Sequence, residues 1–159
     1  MRIVVAAIGR ARTAPEQALF DAYARRLVRS GPAGLTLELA EVEERRKLAG
    51  EPLRKAEAEL LLARIPKDAA IVALDGRGKP LSSEAFAAHL ARWRDEGIGD
   101  LAFVIGGADG LDPGLLKRAR FVLSLGAMTW PHLLVRAMLA EQVYRAQSIL
   151  LGHPYHRGG

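Results

Sequence analysis

The chain has 159 residues, half of them hydrophobic, and its 23 lysines and arginines against 18 acidic residues give a formal net charge of +5. This length supports one globular domain over residues 1–159 and is too short for two ordinary domains. The absence of cysteine excludes disulfides, thiolate metal sites and a cysteine nucleophile. The basic balance favours an anionic partner such as RNA, although solvated, arginine-bearing helix faces would give the same composition.

No segment approaches the roughly 20 apolar residues of a membrane-spanning helix. The first ten residues, MRIVVAAIGR, are too short an apolar run for a secretory signal and lack a cleavage site after them. We therefore expect a cytoplasmic protein with no membrane association.

Apolar runs alternate with helical patterns along the whole chain. Continuous apolar runs at 3–8, 69–74 and 101–105 are typical of strands covered on both faces. Alternation at 35–42 predicts a strand with one wet face near a sheet edge, and a short run at 121–125 gives a fifth strand. Helices are predicted from Pro15 to Gly31-Pro32 and at 52–65, 83–97, 113–119 and 131–152. This order predicts an α/β domain with a mostly parallel sheet.

Three loops follow strands and are rich in glycine or small residues: 74–80, 106–110 and 126–130. Ligands of parallel sheets bind beyond the carboxyl ends of the strands, and such loops let backbone approach a ligand closely. Neither a dinucleotide fingerprint nor a phosphate-binding P-loop is present, and a tight connection would also explain each glycine-rich turn. The segment 75–80 is expected to be a flexible basic turn.

The last predicted helix has an apolar face and a polar one. Pro131 is tolerated in its first turn, and Gly152 supplies the left-handed residue that ends it. Steps of three and four residues place a carboxylate, a guanidinium and a hydroxyl on one face: Met138, Glu141, Arg145 and Ser148. The order of Glu141 and Arg145 is also that of an ordinary solvated helical ion pair.

The tail after this helix is more polar and aromatic than a frayed end. It contains the only histidine pair at a spacing suited to a metal, His153 and His156, followed by Arg157. Since no acidic residue lies close to the pair, no metal site is expected.

Four segments together resemble the ribosomal RNA large subunit methyltransferase H family: FVIGGADGLDP at 103–113, LSLGAMTWPHLLVR at 123–136, EQVYRAQSIL at 141–150 and GHPYHR at 152–157. That family belongs to the SPOUT superfamily of knotted, S-adenosylmethionine-dependent methyltransferases. The order of strands and helices in the N-terminal half agrees with it, so the resemblance spans the chain, and 75–80 is its weakest part.

The resemblance implies a SPOUT-type α/β knot, with a mostly parallel sheet of five or six strands and a C-terminal trefoil knot at about 101–157. Knots are rare exceptions to the topology rules, and local patterns do not reveal them. S-adenosyl-L-methionine is expected to bind there through the three loops already described. The implied cofactor-binding residues are Leu74, Gly106, Leu125, Gly126, Ala127, Met128, Thr129 and Trp130.

The resemblance also implies a homodimer packed through the last helices that methylates N3 of a pseudouridine in 23S ribosomal RNA of the assembled ribosome. The implied catalytic groups are Glu141, Arg145, Ser148, Tyr155, His156 and Arg157. Arg145 and Arg157 would hold phosphate or the deprotonating base, His156 or Tyr155 would orient the base or carry the proton, and Glu141 would position Arg145. Which of them is the general base stays open.

Three further points stay open at this stage. The tail of one subunit could complete the pocket of the other. The chain could instead be a non-catalytic RNA-binding or ribosome-associated factor that keeps the knot as a scaffold. It could also be a transfer RNA methyltransferase of the same superfamily, although the extra RNA-binding domain common in such enzymes is missing here.

Overall fold

Strands and helices alternate along the chain in the computed structural model, which describes residues 1–29 and 34–157 and leaves out the side chains of residues 28, 29, 156 and 157. The strands are β1 (Arg2–Ile8), β2 (Thr36–Val42), β3 (Ala70–Pro80), β4 (Asp100–Ile105) and β5 (Phe121–Ser124). The α-helices are α1 (Pro15–Arg29), α2 (Gly50–Leu62), α3 (Ser83–Asp95), α4 (Pro113–Arg118) and α5 (His132–Leu150), and a 3-10 turn covers Pro154–Arg157.

The five strands form one sheet in the order β2-β1-β4-β3-β5, and every neighbouring pair is parallel. The prediction of a parallel α/β sheet is confirmed, and so is the edge position of β2. Since all strands point the same way, the loops that follow them emerge at one edge of the sheet.

Helices cover both faces of this sheet. On one face, α1, α3 and α5 pack on residues such as Val5 and Phe103. On the other face, α2 and α4 pack on their neighbours Ala6 and Val104. Successive strand residues point to opposite faces, so these interior strands are apolar throughout because both of their faces are buried.

The segment 75–80, predicted to be a flexible turn, is instead a continuation of β3. The pairing of Leu123 shifts from Leu74 to Lys79, which leaves the residues between them bulged out of the ladder. A Cβ on Gly78 would lie 2.6 Å from the Val122 carbonyl oxygen. The prediction of a free turn was wrong because this glycine lets the chain lie against the backbone of β5.

The boundaries of α5 are close to the predicted ones. Pro131 precedes the first helical residue rather than lying in the first turn. Gly152 has a φ of +67°, and the N–H of His153 donates to the Ser148 carbonyl at 2.8 Å, so the predicted glycine stop is confirmed. The predicted end of α1 at Gly31-Pro32 lies outside the described residues.

The trefoil knot stays a prediction, with which the sheet order is consistent. Among the described helices, none has the length and apolar character needed to cross a membrane.

Candidate active site

A cavity of about 310 Å³ opens at the carboxyl ends of β3, β4 and β5. We call it the carboxyl-edge cavity. Its wall brings together all eight residues that the resemblance implied for cofactor binding: Leu74, Gly106, Leu125, Gly126, Ala127, Met128, Thr129 and Trp130. Three separate stretches of sequence therefore meet in one concave surface, as the edge argument predicted for parallel strands.

Backbone rather than side chains forms much of this wall. A Cβ on Gly106 would lie 2.9 Å from the carbonyl carbon of Gly110, closer than real Cβ contacts come. Gly126 has a φ of +112°, which other residues rarely adopt. Both positions require glycine, and both leave backbone groups open to a ligand.

Ser124, which the sequence analysis did not single out, holds two of these loops together. Its buried hydroxyl lies 3.1 Å from the Gly126 carbonyl oxygen and 3.3 Å from that of Gly76, and it accepts from the Gly126 N–H at 3.2 Å. It therefore links the loop after β5 to the bulge in β3.

The Trp130 side chain supplies a polar group inside the cavity wall. Its indole Nε1 is buried and has no hydrogen-bond partner among the described residues. Leaving such a donor unpaired costs about 1–3 kcal/mol. A ligand that accepts this hydrogen bond would remove that cost, so an acceptor-rich ligand with apolar parts fits the cavity.

Glu57 on α2 supports the loop after β4 from behind. It is buried, accepts a hydrogen bond from the backbone N–H of Gly107, and a Cβ on Gly107 would lie 2.8 Å from its Oε1. Burial raises the pKa of the Glu57 carboxyl, the Gly107 bond opposes this, and the charge of Asp109 adds to the rise. Its Oε2 has no partner within the described part of the chain.

Arg136 fastens the start of α5 to the sheet edge. Its side chain is 2% exposed and ion-pairs with Glu41 at 2.6 Å. It also donates to the carbonyl oxygens of Ile8, at 2.6 Å, and Gly9, at 3.0 Å. Burial lowers the pKa of this guanidinium and Glu41 opposes the shift, yet arginine stays charged in proteins. Sequence spacing does not predict this pair, because its partners are distant in the chain.

A second polar group lies further along α5 and is called the Glu141 cluster: Tyr23, Glu141, Gln142, Arg145 and Tyr155. Glu141 accepts from Arg145 Nε at 2.8 Å and Nη2 at 2.7 Å, from Gln142 at 2.7 Å, and from the Tyr155 hydroxyl at 3.1 Å. Glu141 and Arg145 are each only 18% exposed. The predicted pair is present, but it is not the solvated pair that spacing alone would also have explained.

Aromatic rings close this cluster. The guanidinium of Arg145 lies 5.1 Å from the centre of the Tyr155 ring, within range of a cation–π contact. The Tyr155 hydroxyl also contacts that of Tyr23 at 3.4 Å. Burial raises the pKa of Tyr155, and the bond to Tyr23 and the charge of Glu141 raise it further, so the phenol stays protonated at neutral pH.

The remaining predicted catalytic residues either lie apart from the cluster or have side chains outside the described part of the chain. Ser148 is buried and donates to the Tyr144 carbonyl one turn earlier at 3.0 Å, so its hydroxyl is engaged within the helix. The side chains of His156 and Arg157 lie outside the described part of the chain. Their roles stay predictions.

An apolar groove of about 580 Å³ runs between α1, α3 and α5 and adjoins the carboxyl-edge cavity. The two share Leu123, Leu125 and Gly126, while Glu141 and Gln142 lie on the groove side. Along α5, the step from position 132 in the cavity wall to position 141 is about 13 Å of helix rise. Within one subunit, the Glu141 cluster therefore lies beside the groove and not in the cavity.

No set of three or more histidines, aspartates or glutamates placed to hold a metal ion occurs among the described residues.

Comparison with known proteins agrees with this architecture. The family model described as predicted SPOUT methyltransferase matches residues 1–156. The chain therefore belongs to the SPOUT methyltransferase family.

Individual relatives carry a more specific name. A protein from Rhodospirillum centenum named ribosomal RNA large subunit methyltransferase H is 57% identical over 99% of both chains. One of the same name from Nitrobacter winogradskyi is 52% identical over 99% of this chain and 100% of its own. These matches confirm the resemblance seen in the motifs.

Among solved structures, a probable methylase family protein from Haemophilus influenzae Rd KW20 superposes with a TM-score of 0.53 at 14% identity. The match covers 97% of this chain and 69% of that one. At this identity the likeness supports the fold alone.

Proposed function

We propose that this chain methylates N3 of a pseudouridine in 23S ribosomal RNA, with S-adenosyl-L-methionine as methyl donor and the assembled ribosome as substrate. The observation that carries the proposal is the convergence of the eight implied donor-binding residues in the carboxyl-edge cavity. Full-length relatives named ribosomal RNA large subunit methyltransferase H support the choice of RNA. We further propose that residues 1–159 form one domain and that the protein acts in the cytoplasm.

The cavity fits the donor in chemistry as well as in position. Backbone groups of residues 125–130, the close wall at Gly106 and the unpaired indole N–H of Trp130 would hold it. When bound, S-adenosyl-L-methionine supplies a methyl group already activated by its sulfonium. The chain must then align the target nitrogen and help it to lose a proton.

The Glu141 cluster is proposed to hold the RNA. Glu141 binds two nitrogens of Arg145 and so fixes the guanidinium against the Tyr155 ring, which lets Arg145 meet a phosphate or the deprotonated base. Because Tyr155 stays protonated, it can orient the RNA base but does not accept its proton. Arg157 and His156 are proposed to act with them from the tail.

We propose that the active unit is a homodimer in which the tail of one subunit completes the cavity of the other. The separation of the cluster from the cavity within one chain supports this arrangement. The apolar groove between them, with Leu19 at 44% exposure in its wall, offers a surface that a second copy would cover.

The test is methyl transfer from labelled S-adenosyl-L-methionine to ribosomes, free large subunits, naked ribosomal RNA and transfer RNA from cells that lack the protein. Nucleoside mass spectrometry should find the label on one pseudouridine of assembled ribosomes. Label on naked transfer RNA would point to the transfer RNA enzyme instead. A chain that binds no donor by calorimetry would be a non-catalytic RNA-binding factor.

The shared site has its own test. A Gly106→Ala subunit with an intact Glu141 cluster and tail is mixed with an Arg145→Ala subunit, whose cluster is damaged but whose cavity is intact. If the Glu141 cluster and the tail of one subunit act on the cavity of the other, mixed dimers contain one complete site and activity returns. If both subunits stay inactive after mixing, each chain must complete its own site.

A further inference from the structure

His132 is a histidine in the wall of the carboxyl-edge cavity to which the proposed function assigns no role, although it lies in the 123–136 segment that carries the family resemblance. It is the first residue of α5 and is separated from the 125–130 loop by Pro131 alone. A Cβ on Gly9 would lie 3.2 Å from His132 Nε2, so a glycine at that position, which also has a φ of +88°, leaves room for the ring. No hydrogen bond or ion pair of the imidazole is found within the described residues.

The charges around His132 keep its ring neutral. Burial lowers the pKa of the imidazole, and the positive charge of Arg136 one turn along α5 lowers it further. Two nearby carboxylates are already in ion pairs with arginines: Glu41 with Arg136 at 2.6 Å, and Asp75, across the cavity, with Arg77 at 2.8 Å. At neutral pH this ring, which lines the cavity, therefore carries a lone pair that accepts no hydrogen bond from the described residues.

The described groups of the Glu141 cluster are poor proton acceptors by comparison. Tyr155 stays protonated, Arg145 is a cation, and the Glu141 carboxylate already accepts from three side chains. A proton acceptor for the target nitrogen must have a free lone pair within reach of it. His132 meets the first condition and lies in the same cavity as the proposed donor.

We propose that the His132 imidazole is a catalytic residue that accepts the N3 proton of the target pseudouridine, an inference that rests on the proposed function. The proton passes from N3 to the ring, and the electron pair left on N3 forms the bond to the methyl carbon. The sulfur keeps the pair of the carbon–sulfur bond that breaks and leaves as a neutral thioether. One positive charge thus moves from the sulfonium to the imidazolium, which then releases its proton to water.

The test compares His132→Gln with His89→Gln, a matched control on α3 whose ring packs on Trp93 and Phe121, outside the carboxyl-edge cavity. Glutamine keeps a polar side chain but cannot take up a proton. Donor affinity by calorimetry should be unchanged in both variants. Single-turnover transfer to ribosomes should fall about 100-fold in His132→Gln, as for loss of a general base, and stay unchanged in the control.

The pH dependence gives a readout that a structural role would not move. The kcat/KM of the wild type should rise with pH and level off, because kcat/KM reports the ionisation of groups in the free enzyme. The midpoint of this rise should equal the midpoint of the His132 ring titration measured by NMR in the free protein. The His132→Gln variant should lose that inflection. In His132→Ala, added imidazole should restore the rate in proportion to its free-base concentration.

Four outcomes would overturn the inference. A His132→Gln rate equal to wild type would exclude proton transfer to His132, and so would an NMR midpoint away from the kinetic one. Loss of donor affinity would make His132 a donor contact instead. Absence of transfer by the wild-type protein to any RNA would overturn the proposed function and this inference together, whereas an active wild type with an equally active variant overturns this inference alone.

Discussion

Two arginines of α5 form ion pairs at different points along the helix, one near its start and one further along. Arg136 and Glu41 join α5 to β2, and the arginine is 2% exposed. Arg145 and Glu141 lie one turn apart on α5, and both are 18% exposed. The first pair is enclosed by the backbone of the sheet edge, whereas the second is enclosed by tyrosine rings at the surface.

The difference indicates that the Arg136 pair stabilises the fold and that the Arg145 pair is available to bind a ligand. Arg136 uses its donors on Glu41 and on two backbone carbonyls, so it fixes α5 and the adjoining loop but has little left for a ligand. Arg145 is held by one carboxylate, Glu141, and by the Tyr155 ring, and it donates to no backbone carbonyl among its described contacts. Loss of the first should cost stability, and loss of the second should cost activity.

The sharpest test of this contrast is a pair of matched substitutions, Arg136→Met and Arg145→Met. Removing Arg136 leaves the Glu41 carboxylate without its ionic partner, with only the Ala11 N–H still donating to it at 2.7 Å, and takes a donor from two backbone carbonyl groups. The free energy of unfolding should therefore fall by about 3–5 kcal/mol. The Arg145 variant should lose less, about 1–2 kcal/mol, because Glu141 keeps its hydrogen bonds from Gln142 and Tyr155. Urea unfolding of both proteins measures this difference, and equal losses would remove the distinction.

The cavity end of α5 can be tested through the wall it supports. In Gly106→Ala, the added methyl group would meet the Gly110 backbone at 2.9 Å, and overpacking of this kind costs about 2 kcal/mol. Relieving this contact requires the cavity wall to shift, so donor contacts at the wall are lost and donor affinity by calorimetry should fall roughly 30-fold, equivalent to about 2 kcal/mol.

Gly99→Ala is the matched control, because no heavy atom lies within 4 Å of its added Cβ. It should bind the donor like the wild type. Unchanged affinity in Gly106→Ala would mean that this wall does not contact the donor.

The sequence predicted much of the fold because the signals are local. The apolar runs of β1 and β4 and the alternation in β2 identified strands, and Gly152 identified the end of α5. The error at 75–80 has a physical reason: glycine was taken as a sign of a free turn, but Gly78 is needed for close contact with β5.

The site was predictable only in part. Contacts between residues close together in the sequence were predicted, and contacts between residues far apart in the sequence were not. Glu141 and Arg145 are helical neighbours, so spacing predicted their contact. The support of Gly107 by Glu57 and the tie between Arg136 and Glu41 join residues far apart in the chain, and no periodicity reports such contacts. The sequence did not predict a functional role for His132, because a single histidine after a proline indicates no function until the fold places it in a cavity wall.

The surface end of α5 is tested by Tyr155→Phe, which removes a hydroxyl that donates to Glu141 and leaves the ring in place. Loss of one hydrogen bond to a charged group should slow methyl transfer about tenfold, equivalent to about 1.4 kcal/mol, with donor affinity unchanged. The control is Tyr144→Phe, whose ring packs edge-on against Tyr155. A Tyr155→Phe enzyme that loses donor affinity would place this cluster in the donor site.

The smallest expected effect concerns Glu57, a buried carboxyl without an arginine partner. Because its pKa is raised in the folded protein, the folded state binds more protons than the unfolded state between the ordinary carboxyl pKa and the raised one. Stability is then lost as pH rises through that window.

Glu57→Gln removes the titrating group but can still accept from Gly107, so its stability relative to wild type should increase from acidic to neutral pH. Urea unfolding at a series of pH values measures this slope, with the exposed Glu59→Gln on the same helix as control. A flat difference would mean that Glu57 titrates alike in both states. Burial of Glu57 without an ionic partner would then carry no pH-dependent cost at this edge of the sheet.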